Sequence, residues 1–141
     1  SCSTDHRATL YSLRGNVRPK HSFIAHKTQL RQQNSVFRNS VVTASLDSTI
    51  KLWDLNTAHI DRTINSYSKC YDMHISRSET YIASGHNDCS IRVWHAKSKD
   101  SIMKLEDAHA DPVSCVRITP DEKYIVSTSK DDTIKIWDIG T

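Results

Sequence analysis

The sequence predicts an all-β fold assembled from repeated four-stranded units, and three observations lead there. A self-similar segment returns three times, over residues 42–54, 82–95 and 126–138. Each copy passes through a turn carrying an aspartate (Asp47, Asp88, Asp131) and closes on a tryptophan (Trp53, Trp94, Trp137), and the tryptophans stand 41 and 43 residues apart. Within a copy the side chains alternate with period two, as in Thr133, Lys135 and Trp137 against Ile134, Ile136 and Asp138, which gives a strand two distinct faces.

A repeat of this length is the period of a four-stranded propeller blade. The third unit shows its elements best. Val113, Val116 and Ile118 supply a first strand, residues 120–123 a turn, 124–129 a second strand, 130–132 a tight turn and 133–138 a third strand. Outer strands are expected over 60–64 and 101–105. The first strand of the first full unit is irregular, because Gln32 and Gln33 fall where apolar residues are expected. A fainter copy precedes it, with Ser3, Asp5 and Tyr11 at the offsets of Ser45, Asp47 and Trp53. The expected organisation is an incomplete ring of about three to three and a half blades. Residues 1–24 end a degenerate blade, 25–65 and 66–106 make two blades, the second of them altered, and 107–141 make a blade lacking its outer strand.

Composition agrees with a folded chain: 37% of residues are hydrophobic and 25% charged, without the bias of disorder. No apolar run reaches the length of a membrane span and no signal-peptide layout opens the chain, so the expected location is cytoplasmic. Cys2, Cys70, Cys89 and Cys115 are scattered without a C-x-x-C pair, which predicts reduced, mostly buried thiols. The net charge of +3 is unevenly spread: residues 1–38 hold seven Lys/Arg against the single acid Asp5. That asymmetry would allow a weak contact with anionic lipid or nucleic acid, although isolated basic residues without interleaved aromatics usually form a solvated rim.

Three repeats in register closely resemble the WD40 family, over nearly the whole chain. The resemblance implies a polar network in each blade, mapping here onto His26, Ser45, Asp47 and Trp53 in one and His109, Ser129, Asp131 and Trp137 in another. Such a circuit has a physical reason: a buried indole N–H needs an acceptor and a buried imidazole needs both nitrogens satisfied. The middle unit departs from it. Its serine position holds His86, its histidine position falls near Ser66, and Trp94 is followed by His95; His86, Asp88 and Trp94 are its network members.

That middle unit carries an unusual combination, with Ser68, Lys69, Cys70, Tyr71 and Asp72 before its first strand and Ser84, Gly85, His86, Asn87 and Asp88 leading to Ile91, Arg92, Val93 and Trp94. It resembles the propeller of the autophagy sixteen-like proteins. This implies a docking scaffold that supports attachment of a ubiquitin-like protein to membrane lipid; the alternative is a generic WD-repeat adaptor in ubiquitin ligation, RNA processing or signalling.

Enzyme chemistry is not expected. Ser129, His109 and Asp131 suggest a hydrolase, but the same trio recurs with a tryptophan at blade spacing, which a catalytic site has no reason to duplicate. A metal site from His86, Asp88 and His95 follows no known ligand spacing. The three glycines, Gly15, Gly85 and Gly140, form no phosphate loop, and no cofactor is expected. Binding is expected from proteins or peptides, on the face formed by the loops before the first strand and between the second and third. That face maps to Gln29, Arg31 and Leu46, then Lys69, Tyr71 and Asn87, then Pro112, Ser114 and Lys130, with Tyr71 and Arg31 as the energetic centres. Open sheet edges further predict that missing blades of a longer chain, or a second copy, complete the structure.

Overall fold

The structure is a computed structural model, and it describes residues 7–11, 19–24, 26, 30–37, 40–98 and 101–140. Thirteen strands are seen among them, all in antiparallel sheets. Strands β1 (Arg7–Tyr11) and β2 (Pro19–Ile24) pair alone. The next four, β3 (Leu30–Phe37), β4 (Ser40–Ser45), β5 (Thr49–Asp54) and β6 (Ile60–Asn65), form one sheet in chain order. Strands β7 (Cys70–Ile75), β8 (Tyr81–His86), β9 (Ile91–His95) and β10 (Ser101–Leu105) form the middle sheet. The last holds β11 (Val113–Ile118), β12 (Tyr124–Ser129) and β13 (Ile134–Asp138). This is the all-β, partial propeller expected, with no closed ring.

Local chemistry sets the meander. In each of the three larger sheets the turn between second and third strands places Ser48, Cys89 or Asp132 at φ between 60° and 64°. The preceding aspartate holds that left-handed turn from its side chain: Asp47 Oδ1 accepts the Thr49 N–H at 3.0 Å, Asp88 Oδ1 the Ser90 N–H at 3.3 Å, and Asp131 Oδ1 the Thr133 N–H at 3.0 Å. One expected boundary shifts, and one strand pairs irregularly. The last strand begins at Ile134, because Thr133 is taken into that turn. The irregular first strand of the first full unit forms as β3, but its pairing with β4 slips between Leu30 and Gln32 and again between Gln33 and Val36, as expected where polar residues interrupt the inward pattern.

The core lies between sheets. Val42, Ala44, Ile50, Leu52 and Ile64 pack against Cys70, Met73, Ile75 and Ile82 of the middle sheet. On its other side Ala83, Ile91 and Val93 meet Val113, Val116, Ile118 and Ile125. A fully buried isoleucine or valine contributes roughly 1.5–3 kcal/mol, so the middle sheet, covered on both faces, is the best supported. A close approach depends on Gly85: a Cβ there would lie 2.7 Å from Val113 Cγ1 and 3.1 Å from Val116 Cγ1. Polar contacts join the same two sheets. Asp72, buried in β7, accepts the Val116 N–H at 2.8 Å and an Arg117 N–H at 2.6 Å, while His74 Nδ1 accepts the Ile118 N–H at 3.2 Å. On β13 the residues matching Ile91 and Val93 are Ile134 and Ile136, which are 72% and 68% exposed because no described sheet lies over them.

Candidate functional site

The polar networks form in the first and last of the three larger sheets, with one member displaced from the expected position. In the first, Trp53 Nε1–H donates to Thr43 Oγ1 at 2.9 Å, and that hydroxyl lies 2.8 Å from His26 Nε2. His26 Nδ1 lies 3.0 Å from Asp47 Oδ2. With a neutral imidazole, every member is satisfied when the hydroxyl donates to Nε2 and Nδ1–H donates to the carboxylate. Burial pushes the His26 pKa down, against the opposing pull of Asp47, which keeps this neutral form. The last sheet repeats the circuit: Trp137 Nε1–H to Ser127 Oγ at 2.8 Å, Ser127 Oγ to His109 Nε2 at 2.8 Å, and His109 Nδ1 to Asp131 Oδ2 at 3.0 Å.

Ser45 and Ser129 were expected to join imidazole to indole, and the structure corrects both. Ser45 Oγ accepts the Asp47 N–H, and Ser129 Oγ accepts the Asp131 N–H, each at 3.2 Å; Ser129 also donates to the Asp111 carbonyl at 2.8 Å. They brace the turn. The bridging hydroxyls sit two residues earlier on the same face, because Thr43 and Ser127 are the diagonal neighbours of the tryptophan, whose direct partners are Val41 and Ile125, whereas Ser45 and Ser129 lie two positions further along, at the turn end of the strand. Their signal was present in the sequence: a hydroxyl residue, Thr43, Ser84 or Ser127, stands ten residues before each tryptophan.

The middle sheet is rewired. Trp94 Nε1–H donates to Ser84 Oγ at 2.8 Å, and His86 Nε2 lies 2.8 Å from the same oxygen. The imidazole thus arrives from the sheet's own second strand. Its Nδ1 donates to the Ser68 carbonyl at 3.3 Å, and burial, with Arg92 nearby, pushes its pKa down to about 4. Ser66 holds the place filled elsewhere by histidine: its N–H donates to the Ser48 carbonyl, as that of His109 does to Cys89, and its hydroxyl reaches only the Ser68 carbonyl. Asp88, no longer held by an imidazole, takes Arg92 Nη2 at 2.5 Å. His95 Nδ1 accepts the Lys97 N–H at 3.1 Å.

Ser127, His109 and Asp131 have the distances of a nucleophile, base and orienting acid, yet Ser127 is fully buried and already accepts the indole proton; Ser129 lies outside the trio. Hydrogen bonds pull Asp131 well below the usual carboxylate range, first that from Thr133. His86, Asp88 and His95 each face a different protein partner, and no group of three or more metal-binding side chains is found among the described residues. Cys70 is buried and Cys89 and Cys115 half-buried, all three as free thiols. Burial pushes the Cys70 thiol up, and that of Cys115 to about 11. Cys2 lies outside the described residues.

Of the face residues, six cluster across the middle and last sheets. Tyr71 O–H donates to Asn87 Oδ1 at 2.7 Å, and Lys130 Nζ stands 6.0 Å from the centre of the Tyr71 ring. Asn87 N–H donates to the Lys69 carbonyl and Lys130 N–H to the Pro112 carbonyl. Ser114 pairs with Thr128 at 2.9 Å. Leu46 sits half-buried in the equivalent turn of the first sheet. Gln29 lies outside the described residues, as does the side chain of Arg31, whose backbone runs in β3.

A family model described as "WD domain, G-beta repeat" matches residues 17–54, 58–95 and 100–138. The curated relatives include Protein tipD of Dictyostelium discoideum, 35% identical over 141 residues and 99% of this chain. Nuclear distribution protein nudF of Aspergillus flavus is 30% identical over 73% of the chain, and the Ribosome biogenesis protein WDR12 homolog of Dictyostelium discoideum 33% identical over 72%. The chain spans 23% of the length of each. With three matched repeats covering most of its length, each carrying the same hydroxyl–imidazole–indole circuit or its rewired form, this chain belongs to the WD40 repeat family.

Proposed function

We propose that this chain is part of a non-catalytic protein-interaction scaffold that docks partner proteins or peptides on the face around Tyr71, Asn87 and Lys130. The observation that carries the reading is this cluster. An aromatic ring, an amide and a lysine from two adjacent sheets meet at one end, anchored by the main-chain bonds beneath them. A preorganised aromatic with flanking polar groups is a common centre of binding energy. Lys69, Pro112, Ser114 and Leu46 extend the surface, and Gln29 and Arg31 are assigned to it from the repeat. The buried networks serve stability, and no group in them is free to act on a substrate.

The broader adaptor reading has more support than the autophagy one. Two relatives bear names of nuclear distribution and ribosome biogenesis, and none of the three names speaks of autophagy. The narrower reading, a docking propeller supporting lipid conjugation of a ubiquitin-like protein, rests on the segments 68–72 and 84–88 alone. A cytoplasmic place of action fits the free thiols. No helix among the described residues is long and apolar enough to cross a membrane. Contact of the basic first third with lipid or nucleic acid has no support and forms no part of the proposal. The exposed Ile134 and Ile136 face suits a further blade, from a longer chain in view of the relatives' length, or from a second copy.

The test is affinity isolation with the full-length protein, comparing wild type with Tyr71→Ala/Lys130→Glu. Loss of the same set of partners from the double variant, with its unfolding midpoint unchanged, is the expected result. Unchanged recovery would reject this face.

A further inference from the structure

Beside the rewired middle sheet lies a cleft that the interaction face does not use. A cavity of about 620 Å³ opens between the outer strand of the first sheet and the outer half of the middle one, lined by Thr63, Asn65, Tyr67, Arg92, Trp94 and Lys104 among others. Its arginine is placed differently from its counterpart in the last sheet. In the last sheet, the lysine matching Arg92 is Lys135, which donates to the Ala108 carbonyl at 2.7 Å and lies over its own tryptophan. Here Arg92 turns instead to Asp88, and the small Ser66 stands where an imidazole would have filled space.

Two cations of the cleft point to an acidic occupant, and Tyr67 gives it an ordered aromatic rim. Arg92 is only 4% exposed, one terminal nitrogen binds Asp88, and the other, Nη1, has no hydrogen-bond partner among the described residues. Buried guanidinium groups are normally saturated with acceptors, so an unmatched one signals an acceptor from outside. Lys104, which lines the cleft, pairs with exposed Glu106 at 2.6 Å, a pair weak enough to exchange. Tyr67 is 83% exposed in a left-handed backbone (φ 58°), which the Asn65 side chain holds by accepting its N–H at 2.9 Å; a bulky residue rarely adopts that conformation without a constraint of this kind. The cleft is also suited to a chain more than to a small ion. Three consecutive residues of β6, 63–65, line it, and β6 is the outermost strand of its sheet, with no described strand paired to its outer edge.

We propose that this cleft is a second docking site, which takes an extended acidic peptide segment of a partner protein, its carboxylate held by Arg92 and Lys104 and its backbone alongside β6. Trp94 forms the apolar floor and Tyr67 covers the segment from the rim. The proposal rests on the scaffold reading but not on the Tyr71 face.

The experiment is fluorescence polarisation with the full-length protein and labelled acetyl-hexaglutamate, with labelled hexaglutamine and inorganic phosphate as comparisons. Because Arg92 is buried and its removal could disturb folding, the variants are at exposed positions: Lys104→Glu and Tyr67→Ala. Expected are binding of hexaglutamate at least tenfold tighter than hexaglutamine, weakening of at least fivefold in each variant, no change in Tyr71→Ala, and little competition from equimolar phosphate. The proposal is overturned by equal binding of the two peptides, by binding that survives both variants, or by full displacement with equimolar phosphate, which would mark a simple anion site. Weakening by Tyr71→Ala with Lys104→Glu silent would move the peptide to the other face, leaving the scaffold reading intact and this inference refuted.

Discussion

Replacing Ser84 by alanine tests the rewired network at its centre. Ser84 Oγ receives the Trp94 indole N–H at 2.8 Å, faces His86 Nε2 at 2.8 Å and lies 3.2 Å from the Arg92 carbonyl. Ser84 and His86 are fully buried and Trp94 is 3% exposed, so water cannot take over these bonds without opening the sheet. Alanine orphans both the indole donor and the imidazole acceptor, at about 1–3 kcal/mol each, while the gain from burying a methyl in place of a hydroxyl is smaller. The expected loss is about 2–5 kcal/mol. Ser66→Ala is the control: it removes one hydroxyl bond, to the Ser68 carbonyl, and should cost about 1 kcal/mol. Urea unfolding followed by tryptophan fluorescence reads the difference. With a slope of about 2 kcal/mol/M, Ser84→Ala should lower the midpoint by about 1–2.5 M and the control by about 0.5 M. Equal midpoints for the two variants would refute the idea that one hydroxyl serves two buried partners.

Gly85→Ala should destabilise by about 1–3 kcal/mol, because the added methyl meets Val113 and Val116 of the neighbouring sheet. Thermal unfolding measures it, and Val113→Ala in the same chain should recover part of the loss. The buried histidines set a pH dependence. His86 has its folded pKa lowered to about 4 from 6.5, so the unfolded chain binds the proton first and stability falls as pH drops from about 6.5 to about 4. The change is roughly 3 kcal/mol at most, with His26 acting in the same direction. Denaturation between pH 4 and 8 should show this slope, and His86→Gln should flatten it.

Strands β10, β11 and β12 are legible to the residue, because alternation and the flanking turn residues report locally on which side chains face inward. The bridging hydroxyls lie two positions before the conspicuous serines, since the Ser-x-Asp pairs belong to turns, whereas Thr43, Ser84 and Ser127 are ordinary strand residues whose importance comes from the indole across the ladder. His86 was recognised as a departure. That it supplies the same imidazole from another strand, and so frees Asp88 for Arg92, depends on positions in space.

By itself the sequence determined the repeat, its period, the all-β class and the turn aspartates, because these rest on interactions between residues close in the chain and on a pattern repeated often enough to stand out. Only the tertiary structure decided which hydroxyl completes each circuit, how closely Gly85 lets two sheets approach, and that Arg92 lies almost buried beside a cleft with a donor to spare. Those features join residues from separate strands and separate sheets, and their energetics turn on burial, which no local pattern records.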